Sequence, residues 1–469
     1  MSIARRHGAA ALALFAIALA AFAAPAAAAW RPSGFLIGGY HYTRDHDPAS
    51  RFDARPLVEL DAAGLDLVVS GGHYDSTEAR WTVRMLDSLR ARRPGFRLRT
   101  IVHYMLPWNP GIVSVNPAVA SNAPAIRAAL QPEWGINGPS VEGYMVWDEP
   151  VRPEHFENAG LLSALIDTLP ATRGKLAFVN LLPIYAHGQP AYDASFGPDK
   201  VPAYERYLDR YLSLFDAAPD PAPLLCVDHY PFETAPERRD FYLNLRLMRE
   251  AVERHRRPDA ETPMWLVLQI APARTPSRAY ATSPTLAQIR AQASAALAYG
   301  VKGLLYWTLV PGVSDHYGPG LLDERGSRSS KFAGLARLNR DLHALGRELA
   351  KLDPVAAYHQ DVRGEEGLER DALASPERSR ELVADVMGGA GRGLVGWLRE
   401  RGTGTDHLFV VNKDRARSRR FTVALTPRVR AVTRLGTARP EPVTLGADRR
   451  TFATPLLAPG AGALFRIER

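Results

Sequence analysis

The 469-residue sequence has a single cysteine, Cys226, so no disulfide can form within one chain. Cys226 sits inside an apolar run, where a buried and inert thiol is expected. No Gly-x-Ser-x-Gly elbow is present, which removes the usual frame for a serine nucleophile. Gly38-Gly39 lacks the third glycine and the following helix of a dinucleotide-binding turn. There is no His-x-His pair: His41 and His46 are five residues apart, and the fourth strand-like run carries no lysine. A preformed metal cluster of the kind barrel hydrolases use is therefore not expected, and neither metal nor cofactor is called for. The formal net charge is +8, from Lys+Arg 58 against Asp+Glu 50. The cations are mostly single arginines scattered among acids, without the clustered stripe that nucleic acid requires.

What is present is the composition of a folded protein, 46% hydrophobic and 23% charged. Residues 1–29 are laid out as a signal peptide, with Arg5 and Arg6, then apolar Ala9 to Ala24, then the small-residue tail Pro25 to Ala29. The apolar stretch is short and mostly alanine, so cleavage near Ala29 or Trp30 is expected, with no stable membrane insertion afterwards. That predicts a secreted or periplasmic bacterial protein held together by its core, since one cysteine supplies no staple.

Eight apolar runs recur between residues 34 and 311. They are Gly34 to Tyr42, Asp66 to Tyr74, Thr100 to Leu106, Val141 to Glu149, Lys175 to Leu182, Leu224 to Tyr230, Met264 to Ile270 and Val301 to Leu309. None alternates strictly, as expected of parallel strands buried on both faces. Helical patterns such as Glu78 to Arg93, Pro202 to Phe215, Arg239 to His255 and Thr285 to Gly300 lie between them. Strand and helix repeated eight times predicts an α/β fold, a (β/α)8 TIM barrel over residues 30–353. After a closing helix, short alternating segments begin at Leu394, Asp406, Arg420, Val443 and Gly462. These predict a small C-terminal antiparallel β-sandwich over residues 354–469.

In such a barrel the chemistry sits where strands end. Those ends offer His41, Tyr42, His73, His103, Tyr104, Trp147, Asp148, Glu149, Asn180, Asp228, His229, Tyr230, Gln269 and Trp307. Flat aromatics stack on sugar rings while His, Asn, Gln and carboxylates bind hydroxyls, so the set suits an oligo- or polysaccharide. Trp147-Asp148-Glu149-Pro150 is the sharpest segment: a helix cap accounts for one buried acid, not for two. Asp228 ends the sixth run, and its plainer role is to orient a loop together with His229. Glycosidic cleavage needs two carboxylates, one protonating the leaving oxygen and one attacking carbon or activating water.

Trp147-Asp148-Glu149-Pro150 resembles the Asn-Glu-Pro signature of clan A retaining glycoside hydrolases, and barrel plus sandwich is similar to family-42-like bacterial members. Phe178 to Pro183, Gly303 to Trp307 and Gly320 to Gly326 are similar to segments of uncharacterised bacterial hydrolase barrels. The resemblance implies an acid/base role for Glu149 and for no other residue. The sequence departs from it twice: Asp148 replaces the Asn, and the seventh run ends in Gln269 where the clan carries its nucleophilic Glu. An amide cannot form a glycosyl ester. Asp228 is then the expected second catalytic carboxylate opposite Glu149; Asp148 in a substituted role, and a barrel that binds glycans without cleaving them, are the alternatives. His103, Asn180 and His229 are expected to position hydroxyls, with Trp147, Tyr230 and Trp307 as the sugar platform. Sugar, linkage, anomeric outcome and oligomeric state are left open.

Overall fold

The computed structural model describes residues 30–41, 53–70, 76–103, 123–216, 222–234, 236–257, 261–273, 283–310 and 317–469. Eight parallel strands close into a barrel in chain order: β1 Leu36–His41, β2 Leu67–Ser70, β3 Arg99–Val102, β4 Val141–Asp148, β5 Leu176–Leu181, β6 Leu225–His229, β7 Met264–Gln269 and β8 Gly303–Trp307. The seam is the pairing of Leu36 with Gly303. Gly303 is needed there, because a Cβ would lie 2.4 Å from the Trp265 indole nitrogen.

The helices are α1 Arg55–Ala62, α2 Ser76–Arg92, α3 Ala123–Ala129, α4 Pro153–Thr168, α5 Pro190–Phe196, α6 Lys200–Leu212, α7 Phe241–Arg254, α8 Leu286–Ala298 and α9 Phe332–Leu349. Their starts follow local chemistry. Pro153 opens α4, where its missing N–H costs nothing. Thr285 and Gln288 form a reciprocal capping box on α8. Gly300 follows α8 at φ 90°, a conformation that suits glycine. No helix of the described residues is long and apolar enough to cross a membrane.

Two apolar layers hold the barrel. Leu36, Tyr40, Val69, Ile101, Met145, Phe178, Cys226, Trp265 and Leu305 fill its interior. Ile37, Val68, Val102, Val179, Val227 and Leu304, the residues between them along each strand, pack against the helices. That two-residue alternation decides which strand-end residues reach the mouth. At the opposite end Trp30 closes the floor, its indole N–H donating to Glu142 at 2.7 Å and its ring set edge-on to Trp265.

The remainder is antiparallel. Strands β9 Leu352–His359, β10 Val383–Gly388, β11 Gly393–Glu400, β12 Asp406–Asn412, β13 Phe421–Leu425, β14 Ala431–Leu435, β15 Glu441–Val443, β16 Thr451–Ala453 and β17 Gly462–Glu468 form two sheets. A six-stranded sheet, β15-β14-β17-β12-β11-β9, faces a three-stranded one, β10-β13-β16. Tyr358, Trp397, Phe421, Phe452 and Phe465 lie between them. Helix α8 packs directly on β11, where a Cβ on Gly396 would stand 2.1 Å from the Ala298 carbonyl oxygen. The chain is thus a TIM barrel followed by a β-sandwich.

Candidate active site

Strand β4 sets the geometry. Met145 pairs with Phe178, but Trp147 pairs with the very next residue, Val179, so Val146 is an extra residue in the ladder. This bulge reverses the facing of everything after it. Met145 points into the barrel, while Val146 and Trp147 both pack outward. Trp147 is therefore not a sugar platform: it is buried, stacked on His155 with ring centroids 4.8 Å apart. The same bulge turns Asp148 inward to the mouth. Glu149 follows at φ 48°, a left-handed conformation that a non-glycine residue holds only at a cost of about 1 kcal/mol or more. Its N–H is fixed by the Asn180 carbonyl at 2.8 Å.

These residues open on a cavity of about 560 Å³, lined among the described residues by Tyr40, Asp148, Glu149, Asn180, Tyr230, Glu233, Thr234, Arg238, Ala273, Trp307 and Tyr317. Tyr230 and Trp307 are nearly parallel, at 25° and 6.1 Å, with Tyr317 edge-on to both and Tyr40 edge-on to Trp307. Three carboxylates face this aromatic wall.

Glu149 is open to the cavity but deep in it. The surrounding protein, then Asp148 and Glu233 as like charges, pushes its pKa up to about 8. Burial lifts Asp148 to about 6 against the Asn180 amide, which donates to it at 3.1 Å. Glu233 lies in the loop after β6 and was not foreseen from the sequence. Burial raises its pKa, opposed by a hydrogen bond from the Tyr317 hydroxyl and by the Arg238 guanidinium, 3.8 Å away.

The expected second carboxylate, Asp228, does not line the cavity. It faces the barrel interior below Asn180, whose amide reaches it at 3.4 Å, and it is only 2% exposed. Burial first, then Glu149 and Asp148 as like charges, raise its pKa well above its ordinary value, which favours the neutral acid. His229, one residue on, points the other way. It meets Asp240 at 3.0 Å, and Asp240 in turn pairs with Lys200, which reaches Glu366 of the C-terminal region. His41 is likewise buried at the end of β1, which lowers its pKa to about 4. His103 is fully buried at the end of β3.

Gln269 is also absent from the lining. Fully buried, it accepts the Phe232 N–H at 2.8 Å and donates to the Ala271 carbonyl at 3.3 Å. Gln292 of α8 clamps its backbone from both sides, at 3.1 and 3.0 Å. Of the sequence candidates, Asp148, Glu149, Asn180, Tyr230 and Trp307 come together at the cavity; Tyr42, His73 and Tyr104 lie outside the described residues. Among the described residues no group of three or more His, Cys, Asp or Glu side chains is arranged to hold a metal ion. Extending the reading of β6 through its loop, from His229 to Pro231-Phe232-Glu233, would have found Glu233. Arg238 and Tyr317 carry no comparable local signal.

Solved structures similar to the chain include several β-galactosidases and a family 5 glycoside hydrolase. The β-galactosidase from Rahnella sp. R3 superposes with a TM-score of 0.50 at 11% identity, covering 93% of this chain and 98% of that one. The β-galactosidase from Bacillus circulans sp. alkalophilus gives 0.49 at 11% identity, over 92% and 99%. That from the psychrophilic Marinomonas ef1 gives 0.48 at 12% identity, covering 69% of this chain and 62% of that one, so the chain spans less than two thirds of its length. At 11% identity the likeness to the Rahnella enzyme shows the fold alone. No family model matches the sequence, and no curated protein is significantly similar to it.

Proposed function

We propose that the protein is a glycoside hydrolase in which Glu149 is the general acid and Glu233, not Asp228, is the second carboxylate. The observation that carries this is the meeting of Glu149, just past β4, and Glu233, in the loop after β6, in one cavity walled by Tyr40, Tyr230, Trp307 and Tyr317. Glu149, with its pKa near 8, holds a proton at neutral pH and gives it to the glycosidic oxygen as the bond to the anomeric carbon breaks. Tyr317 and Arg238 favour the ionised form of Glu233, which attacks the anomeric carbon or draws a proton from the attacking water. Asp148, steadied by Asn180, supplies negative charge beside the developing oxocarbenium ion. The aromatic residues hold the ring.

Export belongs to the same reading: residues 1–29 are removed, and the barrel and sandwich work outside the cytoplasm on an oligo- or polysaccharide. A panel of aryl glycosides and polysaccharides, followed by reducing-end release and by NMR of the first-formed anomer, tests it. Hydrolysis that is lost in Glu233→Ala, with azide restoring turnover and yielding a glycosyl azide of anomeric configuration inverted from the substrate, marks Glu233 as the nucleophile. Hydrolysis untouched by Glu233→Ala removes it from the mechanism.

A further inference from the structure

Arg238 is the one cation among the described residues that line the cavity. Its guanidinium lies over the Tyr185 ring, 3.6 Å from the centroid, which fixes its plane. Its backbone N–H is tied to the Pro231 carbonyl at 3.0 Å. A residue whose sole task was to hold Glu233 would close on it with a hydrogen bond of about 2.8 Å. Here the nearest approach is 3.8 Å, and the other Glu233 oxygen already receives the Tyr317 hydroxyl. A quarter of the Arg238 side chain stays open. A flat, pre-oriented guanidinium that stays partly open and makes no close hydrogen bond to Glu233 is a receptor for a planar anion.

Resting on the reading of this cavity as a sugar site, we propose that Arg238 selects an acidic sugar, pairing with the carboxylate of a uronic acid. The other charges at the mouth narrow the choice. Asp148 and Glu233 border the same space, so a doubly charged phosphate ester meets about twice the repulsion of a singly charged carboxylate. The fork of the guanidinium matches two carboxylate oxygens. The neutral ring then lies against Tyr230 and Trp307.

Calorimetric titration of the full chain tests this, with the methyl glycosides of glucuronic and galacturonic acid set against methyl glucoside and galactoside. The uronosides are expected to bind at least about 30-fold more tightly than their neutral partners. Arg238→Met should abolish that preference, read as the ratio of uronoside to neutral-sugar affinity within each variant, and Arg238→Lys should restore part of it. Thermal melting of each variant establishes that it is folded. Neutral sugars that bind as well as uronosides overturn the proposal, as does an Arg238→Met variant that weakens both classes equally, or binding of neither class. The two readings fail separately. Cleavage of neutral glycosides without a uronoside preference leaves the hydrolase standing and removes the acidic-sugar selection; uronoside binding without cleavage of any glycoside does the reverse.

Discussion

The side-chain oxygen of Gln269 accepts the backbone N–H of Phe232, the residue just before Glu233. The end of β7, which carries an uncharged residue, is thereby spent on the loop that brings a carboxylate to the cavity from β6. Gln269→Met removes the acceptor at nearly constant volume and leaves a buried N–H unpaired. On this account turnover falls by about 100-fold with KM little changed, since small displacements of a reacting group cost that much. The acid limb of the pH profile should also move as Glu233 leaves the Tyr317 hydroxyl. An unshifted profile and unchanged turnover would mean the Gln269 contact supports only the fold.

Activity should have a bell-shaped dependence on pH. Glu149 acts protonated, so kcat/KM falls as pH rises through about 8. Glu233 acts ionised, and burial lifts its pKa, so the opposite limb lies above the ordinary carboxylate range. In Glu149→Gln the alkaline limb should vanish from the residual activity. Its persistence there would assign that limb to another group.

Asp228 gives a stability test with a definite sign. Its pKa is higher folded than unfolded, so the folded state binds more protons and loses stability as pH rises above the unfolded carboxylate pKa. Asp228→Asn removes that penalty and can still accept from Asn180. Its Tm should match the parent near pH 4 and exceed it by about 2–4 °C at pH 8. Turnover should stay within about tenfold of the parent, whereas removal of a nucleophile costs orders of magnitude.

The N-terminus gives a prediction independent of the chemistry. Expressed in a bacterium with its first 29 residues, the chain should be recovered from the periplasm or medium beginning at Ala29 or Trp30. Trp30 already has a place, sealing the barrel floor against Glu142 and Trp265. Edman sequencing of the exported protein reads the cut directly, and a retained Met1 would contradict it.

The barrel was legible because its strands are continuous apolar runs separated by helical periods, a signal that survives without any knowledge of contacts. The sandwich was legible in part: Leu394, Asp406 and Gly462 open or sit at the edges of β11, β12 and β17, while β10 and β14 lack a clear two-residue alternation and β16 is only three residues long. The site was less legible. Periodicity alone cannot foresee one extra residue at Val146, yet that residue sends Trp147 outward and Asp148 inward. Asp228 and His229 are neighbours in sequence and opposite in facing, so only one could have pointed to the barrel interior, and that one stops below Asn180. Glu233 lies in the βα loop after β6, where no strand pattern marks it.

The role of Glu149 is tested most directly by comparing leaving groups in Glu149→Gln. An alkyl glycoside needs its departing oxygen protonated; a dinitrophenyl glycoside does not. The variant should lose about 1,000-fold or more in turnover on the first and less than about tenfold on the second. Equal losses on both substrates, or unchanged turnover of the alkyl glycoside, would contradict general-acid catalysis by Glu149.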